Sequence, residues 1–297
     1  MEDEEGINSM AENSISETPK RNIKVGYLFL SLVPIAVNLM IQTIAQLPFL
    51  ILSMFDAFSE SSVFDYNTFM NLFYQKYSAY VYYIYGGVGV IVFALWYIKG
   101  FVKKNAKVRL KDVFSLKAVL SIIALVVGLF FAINAFMILI GWILPKIMES
   151  YSQLMELTGI ITNPVVIIVY GLFLGPVLEE LCFRGVAYSI LEKSGINIFF
   201  VILIQSLFFG AMHLILVQVI YAAILGMFLG YLRYKYRSIS ITIVMHILFN
   251  FMGTFVGDAI DKVNPGDGVI LILGGISMVV IAFTIVLINS DKKAYHP

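Results

Sequence analysis

Long apolar segments constrain this chain more than any other feature, because eight of them approach the roughly 20 residues that a helix needs to cross a bilayer. They lie at 26–54, 79–98, 118–144, 163–190, 197–215, 217–232, 239–257 and 268–289. Of the 297 residues, 60% are hydrophobic and 13% are charged, about half the charged fraction of an average soluble domain. The sequence therefore predicts an all-α, polytopic transmembrane helix bundle of about eight spans. Only Leu216-Val217-Gln218 separates the fifth segment from the sixth, so these two spans are expected to be short or tilted.

The two ends of the chain have a different composition. Residues 1–23 are acidic and polar, with too little apolar content to form a core, and are predicted to be a disordered tail. They lack the basic start and short apolar stretch of a secretory signal. We interpret 24–291 as one integral membrane domain and 292–297 as a short C-terminal tail. The single cysteine, Cys182, excludes an internal disulfide and a cysteine-rich metal site.

Basic residues indicate how the bundle is oriented. With eight crossings, five basic segments fall on one side of the membrane, and the positive-inside rule makes that side cytoplasmic. Their members are Lys20, Arg21 and Lys24; Lys99, Lys103, Lys104, Lys107, Arg109 and Lys111; Lys193; Arg233, Lys235 and Arg237; Lys292 and Lys293. The opposite loops carry acidic residues such as Asp56, Asp65 and Asp258, with few cations. Both termini are therefore predicted to be cytoplasmic.

Three charged residues interrupt the fourth apolar segment. An ionised side chain at the bilayer centre costs about 2.5–3.5 kcal/mol on insertion scales, so Glu179, Glu180 and Arg184 are expected to face the bundle interior and find partners there. Glu180 and Arg184 are spaced i, i+4, which places them on one helix face within ion-pair reach. Glu179 lies about 100° round the helix from Glu180, so it is the carboxylate most available for other work.

Two histidines and an asparagine lie in later apolar segments. His213 and Glu179 are equidistant from residue 196, in the turn between the fourth and fifth segments, so an antiparallel hairpin would place them at the same depth. His246 and Asn250 are spaced i, i+4 on one face of the seventh segment. These polar groups are predicted to converge on one cavity within the membrane.

The residue types in this cavity suit the activation of water. A carboxylate and an imidazole can each accept a proton and orient the attacking oxygen, while a second imidazole with an amide supplies donors for a developing oxyanion. The sequence contains no Gly-x-Ser-x-Gly elbow, no paired aspartates within spans and no His-Glu-x-x-His motif, and Cys182 has no adjacent base.

Three motifs in order resemble those of the CPBP family, which groups type II CAAX prenyl endopeptidases with Abi-type and bacteriocin-processing membrane proteins. Glu179 to Arg184 resembles the EExxxR motif, Phe209 to His213 the FxxxH motif, and His246 to Asn250 the HxxxN motif. The resemblance implies that Glu179 and His213 activate water and that His246 and Asn250 stabilise the oxyanion, with Glu180, Arg184 and Phe209 in support. It leaves two mechanisms open: a metal-free one, which we favour, and one in which Glu179, His213 and His246 hold zinc.

The resemblance implies an intramembrane endopeptidase whose peptide or protein substrate arrives from the membrane. Other interpretations stay open: Glu180 and Arg184 could be a purely structural ion pair, and the chain could be a non-catalytic protein of bacteriocin immunity or a scaffold. A transporter is a third alternative, although no inverted repeat is visible. We expect a lipid bilayer and no nucleic acid as partners, with the oligomeric state open. An integral multi-pass protein of this kind would lie in the plasma membrane if the source is bacterial.

Overall fold

The computed structural model describes residues 22–60, 63–102, 113–157, 163–291 and residue 294, and within these residues the chain is helical with no β-strand. We number the helices in chain order as α1 Val25–Glu60, α2 Tyr66–Gly100, α3 Leu116–Ile143, α4 Pro145–Leu157, α5 Pro164–Lys193, α6 Ile198–Ala211, α7 Leu216–Tyr236, α8 Ile239–Val263 and α9 Asp267–Asn289. The predicted tails, 1–23 and 292–297, fall almost entirely outside the described residues, so the division into domains stays a prediction.

Capping residues explain where several helices begin. Asp65, Ser115, Asn163, Asn197 and Ser238 each precede a helix in extended backbone, and each side chain accepts a hydrogen bond from a backbone N–H of the first turn. This satisfies donors that have no partner within the helix. The helix starts are therefore local properties of the sequence.

Within the described part of the chain, seven helices are long and apolar enough to cross a membrane, which confirms the all-α polytopic bundle. The predicted fifth span, 197–215, is where the structure differs. Its helix, α6, has 14 residues and therefore spans about 21 Å, short of a hydrocarbon core of about 30 Å. The helix ends at Ala211, so His213 lies in the connection to α7 and not within a span. The apolar run of the sequence continues through this connection, which is why hydropathy alone extended the span.

Two apolar clusters form the interior of the bundle. One joins α3 with α7, α8 and α9, and the other joins α1 and α2 with α5 and α6. Small residues permit the closest approaches: a Cβ at Gly274 would lie 2.4 Å from Cβ of Ala135, and one at Gly210 would lie 2.5 Å from the Val219 carbonyl oxygen. Such residues let helix backbones pack closely in lipid. Helix α5 contributes to the second cluster and packs against both α2 and α8.

The basic segments within the described residues meet at one end of the bundle. The backbone N–H of Lys24 donates to the carbonyl of Ser194 at 2.8 Å, and the Lys193 ammonium lies 4.5 Å from the ring centroid of Phe101. Arg237 pairs with Glu192 at 2.8 Å. We call this the basic end. The structure thus brings together the loops that the charge pattern assigned to one side, and the compartment they face stays a prediction.

Candidate active site

Helix α5 carries the first motif in an unusually irregular setting. Two π-helical segments, Ile167–Leu174 and Leu181–Ala187, flank the α-helical turn Gly175–Glu180. A third π segment, Met252–Val256, follows Asn250 on α8. The wider turns of a π segment displace side chains from α-helical register, and such segments are frequent at functional sites. The motif residues therefore lie where α5 and α8 both depart from regular helix.

Glu180 and Arg184 form the buried ion pair that their i, i+4 spacing predicts. Arg184 Nη1 donates to Oε1 of Glu180 at 2.8 Å, and neither side chain is exposed. Arg184 also donates through Nη2 to the Gly226 carbonyl at 3.2 Å, which ties α5 to α7. Its guanidinium carbon lies 4.3 Å from the ring centroid of Phe209 on α6. One side chain thus joins three helices around the site.

His246 connects the two adjacent glutamates. Its Nδ1 lies 2.9 Å from Oε1 of Glu180, the same oxygen that accepts from Arg184. Its Nε2 lies 3.6 Å from Oε2 of Glu179, beyond the length of a direct hydrogen bond. Because an ionised carboxylate only accepts, the contact with Glu180 assigns the proton to Nδ1 and directs Nε2 toward Glu179.

Glu179 is the accessible member of the glutamate pair. Its side chain is 26% exposed, whereas that of Glu180 is fully buried. Among the described residues, Glu179 has no ion pair within 4.0 Å other than the one with His246. With both carboxyl groups ionised and His246 neutral, Glu179, Glu180 and Arg184 would carry one net negative charge.

Phe209 places both motif histidines around one ring. Its centroid lies 5.2 Å from the ring of His213 and 5.7 Å from the ring of His246, and both pairs are edge-on, at 82° and 88°. His213 Nδ1 lies 3.1 Å from the Phe209 carbonyl oxygen, so Nδ1 carries the proton and Nε2 is an acceptor in the neutral ring. The second motif is therefore a positioning unit in which one residue orients the two imidazoles.

Asn250 lies beside the first π segment of α5. Its Nδ2 donates to the Gly171 carbonyl at 2.9 Å, which links α8 to α5. This bond uses one of the two amide protons and leaves the second for another acceptor. The structure therefore gives Asn250 a contact between helices.

The donor set is incomplete for zinc. Glu179 Oε2 and His246 Nε2 would serve as two ligands, but the part of the chain that the structure describes contains no group of three or more His, Cys, Asp or Glu residues arranged around a common point. A catalytic zinc takes three protein ligands and keeps a fourth position for water. The described residues thus present two of the three ligands of the zinc alternative close together, and the part a metal plays stays a prediction.

Sequence reasoning brought the right helices together but missed two contacts. It paired Glu179 with His213, whereas the structure records no ion pair within 4.0 Å between these two described residues and places His246 nearest Glu179. It also gave Phe209 only a general supporting role. The contacts of His246 with Glu179 and with Phe209 have no signal in the spacing of residues, because each joins two different helices. The contact of Phe209 with His213 follows from their separation by four residues.

Comparison with known proteins identifies the segment that carries the site. A model of the family described as Type II CAAX prenyl endopeptidase Rce1-like matches residues 161–252, which include all three motifs. The match confirms the predicted resemblance to the CPBP family over the segment that carries the motifs. A search of the curated proteins and a search of the solved structures each gave no match.

Proposed function

We propose that this chain hydrolyses peptide bonds inside the membrane, with a water molecule activated by Glu179 as the nucleophile. The observation that carries the proposal is the chain of contacts from Arg184 through Glu180 and His246 to Glu179. Two of these groups are fully buried, while Glu179 is open to a ligand. A polar network of this kind is expensive in a membrane and is expected to have a function.

Glu179 and His213 are the groups that we assign to the attacking water. The Glu179 carboxylate takes a proton from the water molecule while the water oxygen bonds to the carbonyl carbon of the substrate. His213 Nε2 accepts the second water hydrogen and fixes the direction of attack, because Nδ1 is bound to the Phe209 carbonyl. The proton on Glu179 then passes to the amine nitrogen as the C–N bond breaks. The products are two peptides, one with a new carboxyl terminus and one with a new amino terminus.

His246 and Asn250 are the groups that we assign to the oxyanion. When His246 is protonated, Glu180 balances its charge through Nδ1, and Nε2 becomes a donor on the side of Glu179. The free amide proton of Asn250 is a second donor. Donors that are fixed before the reaction contribute most where water is excluded, and the loss of one such donor typically lowers kcat by about 10²–10³.

The experiment compares the membrane proteomes of cells that produce the wild type or Glu179→Gln. Labelling of new N-termini followed by mass spectrometry should find termini that are present with the wild type and lost with Glu179→Gln. His213→Ala should lose the same termini. Cells without the chain provide the background.

Glu192→Gln is the matched control, because Glu192 is a carboxylate on the same helix that pairs with Arg237 at the basic end. It should retain the wild-type set of termini. If Glu179→Gln keeps that set at equal protein abundance, the hydrolytic mechanism is wrong, and a non-catalytic role in immunity or as a scaffold becomes the better hypothesis.

A further inference from the structure

A strained turn directly follows His213. The backbone N–H of Ile215 donates to the His213 carbonyl at 2.8 Å across a single residue, Leu214, whose φ is +61°. An i to i+2 hydrogen bond around a residue of positive φ is the rarer, strained hand of the γ-turn. A leucine is an unfavourable residue here, because its Cβ crowds the backbone in the left-handed region.

Two other non-glycine residues among those described have positive φ, and both have an ordinary explanation. Arg237 and Asn264 each come directly after the last residue of a helix, α7 and α8 respectively. A left-handed residue in this place closes a helix, and asparagine tolerates the conformation. Leu214 has neither explanation, since Met212, with right-handed backbone, already caps α6.

The Leu214 side chain gains nothing from packing within the chain. It is 85% exposed, so burial does not offset the backbone strain. A glycine would adopt the same turn without strain. Strain of this kind is characteristic of functional sites, where the surrounding structure holds a residue in place for another purpose.

The turn lies at the depth of the catalytic groups. Helix α6 starts near the basic end and rises about 21 Å before the turn, and Glu179 lies 14 residues before the end of α5 at the same side. The amides of residues 212–215 donate to nearby carbonyls, so the backbone stays hydrogen-bonded where α6 ends. Irregular backbone at this depth is tolerated where it lines a protein-enclosed or water-filled cavity. The exposed leucine therefore directly follows a motif histidine at this depth.

We infer that Leu214 is a specificity-determining residue that contacts an apolar side chain of the substrate beside the scissile bond. The inference rests on the proposed function and deepens it. The strained turn holds the leucine next to His213, so an apolar side chain of the peptide would pack on Leu214 while the neighbouring carbonyl reaches Glu179. An apolar contact with a substrate side chain typically discriminates by roughly 10–200-fold per methylene group.

The test uses Leu214→Gly, Leu214→Asn and Leu214→Met in the same N-terminal labelling experiment. Leu214→Gly and Leu214→Asn relieve the strain and remove the apolar side chain, whereas Leu214→Met keeps an apolar side chain. We expect Leu214→Gly and Leu214→Asn to reduce cleavage next to large apolar residues by at least about tenfold. Their melting temperatures should be unchanged or higher than that of the wild type. Leu214→Met should retain the wild-type pattern. Leu207→Asn removes an exposed leucine, 53% accessible, from the outer surface of α6 and is the matched control.

The outcomes separate the two proposals. If Leu214→Gly produces the wild-type set of termini at the wild-type level, Leu214 does not contact substrate. If Leu207→Asn and Leu214→Asn reduce cleavage equally, the leucines contact lipid and the inference is also wrong. A lower melting temperature for Leu214→Gly would show that the leucine in this turn is not strained. Absence of any difference between the wild type and Glu179→Gln would instead overturn the proposed function itself.

Discussion

His246 Nδ1 lies 2.9 Å from Oε1 of Glu180, and this contact joins two motifs that are separated by 66 residues in the chain. The same carboxylate oxygen accepts from Arg184 on its own helix. Glu180 therefore has two roles: it balances the buried guanidinium, and it holds the imidazole that faces Glu179. Removal of Glu180 should disturb both the fold and the site, whereas removal of Glu179 should disturb the site alone.

The ion pair of Glu180 and Arg184 should show strong energetic coupling. Either Glu180→Gln or Arg184→Met leaves a buried charge uncompensated, and each should lower the free energy of unfolding by about 3–5 kcal/mol. The double variant should lose less than the sum of the two. Thermal or denaturant unfolding in detergent measures this cycle. Asp258→Asn, in the exposed pair with Lys262, should leave stability unchanged; additive losses at the buried pair would contradict the coupling.

Asn250 should stabilise the π segment of α5 independently of any catalytic role. Asn250→Leu removes the donor to the Gly171 carbonyl and should lower stability by about 1 kcal/mol. Amide hydrogen exchange within Ile167–Leu174 should become faster. The control is Asn134→Leu, because the Asn134 amide donates only to the Phe130 carbonyl of its own helix. Equal exchange in both variants would show that the α8 contact does not support the segment.

Gly226 should be intolerant of substitution because it lies against the site. A Cβ at this position would lie 3.2 Å from both Nη2 of Arg184 and Cδ1 of Phe209. Gly226→Ala should cost about 1–3 kcal/mol through overpacking and reduce cleavage by displacing the guanidinium. Gly87→Ala provides the comparison, since a Cβ there meets no atom within 4 Å. It should be neutral or slightly stabilising in the helix, and a similar loss in both variants would exclude a specific steric cause.

Cleavage should not require a divalent metal. The described residues supply two candidate zinc ligands, Glu179 and His246, and no third. Dialysis of the purified protein against a chelator should leave cleavage of the substrates found by N-terminal labelling intact. Elemental analysis should find less than one equivalent of zinc. Loss of cleavage that zinc restores would favour the metal alternative.

The basic end should face the cytoplasm. In a Cys182→Ala background, which removes the single native thiol, Lys262→Cys and Ser290→Cys place one exposed thiol at each end of the bundle. A membrane-impermeant maleimide added to intact bacterial cells should label the first variant and not the second. The reverse pattern would invert the predicted topology, and permeabilised cells provide the positive control for both thiols.

Much of the architecture could be predicted because it depends on local properties. Seven of the eight expected spans correspond to long apolar helices, and side chains such as Ser115 and Asn163 mark helix starts that sequence alone makes visible. The fifth span was expected to be short or tilted, and α6 is short, but the segment 197–215 was predicted to end later than the helix does. Hydropathy does not distinguish an apolar helix from an apolar turn, and Leu214 and Ile215 continue the apolar run after α6 has ended.

The charged residues of the fourth apolar segment show most clearly which features are local and which depend on the assembled bundle. The sequence by itself determined that Glu179, Glu180 and Arg184 had to be enclosed within a membrane bundle, because lipid cannot solvate them, and the i, i+4 spacing determined the partner of Arg184. Only the tertiary structure decided that His246 lies between the two glutamates and that Phe209 contacts both imidazoles. The depth and rotation of one helix against another depend on close packing at residues such as Gly226, on π segments and on the early end of α6. Those are properties of the assembled bundle, so no single segment of the sequence encodes them.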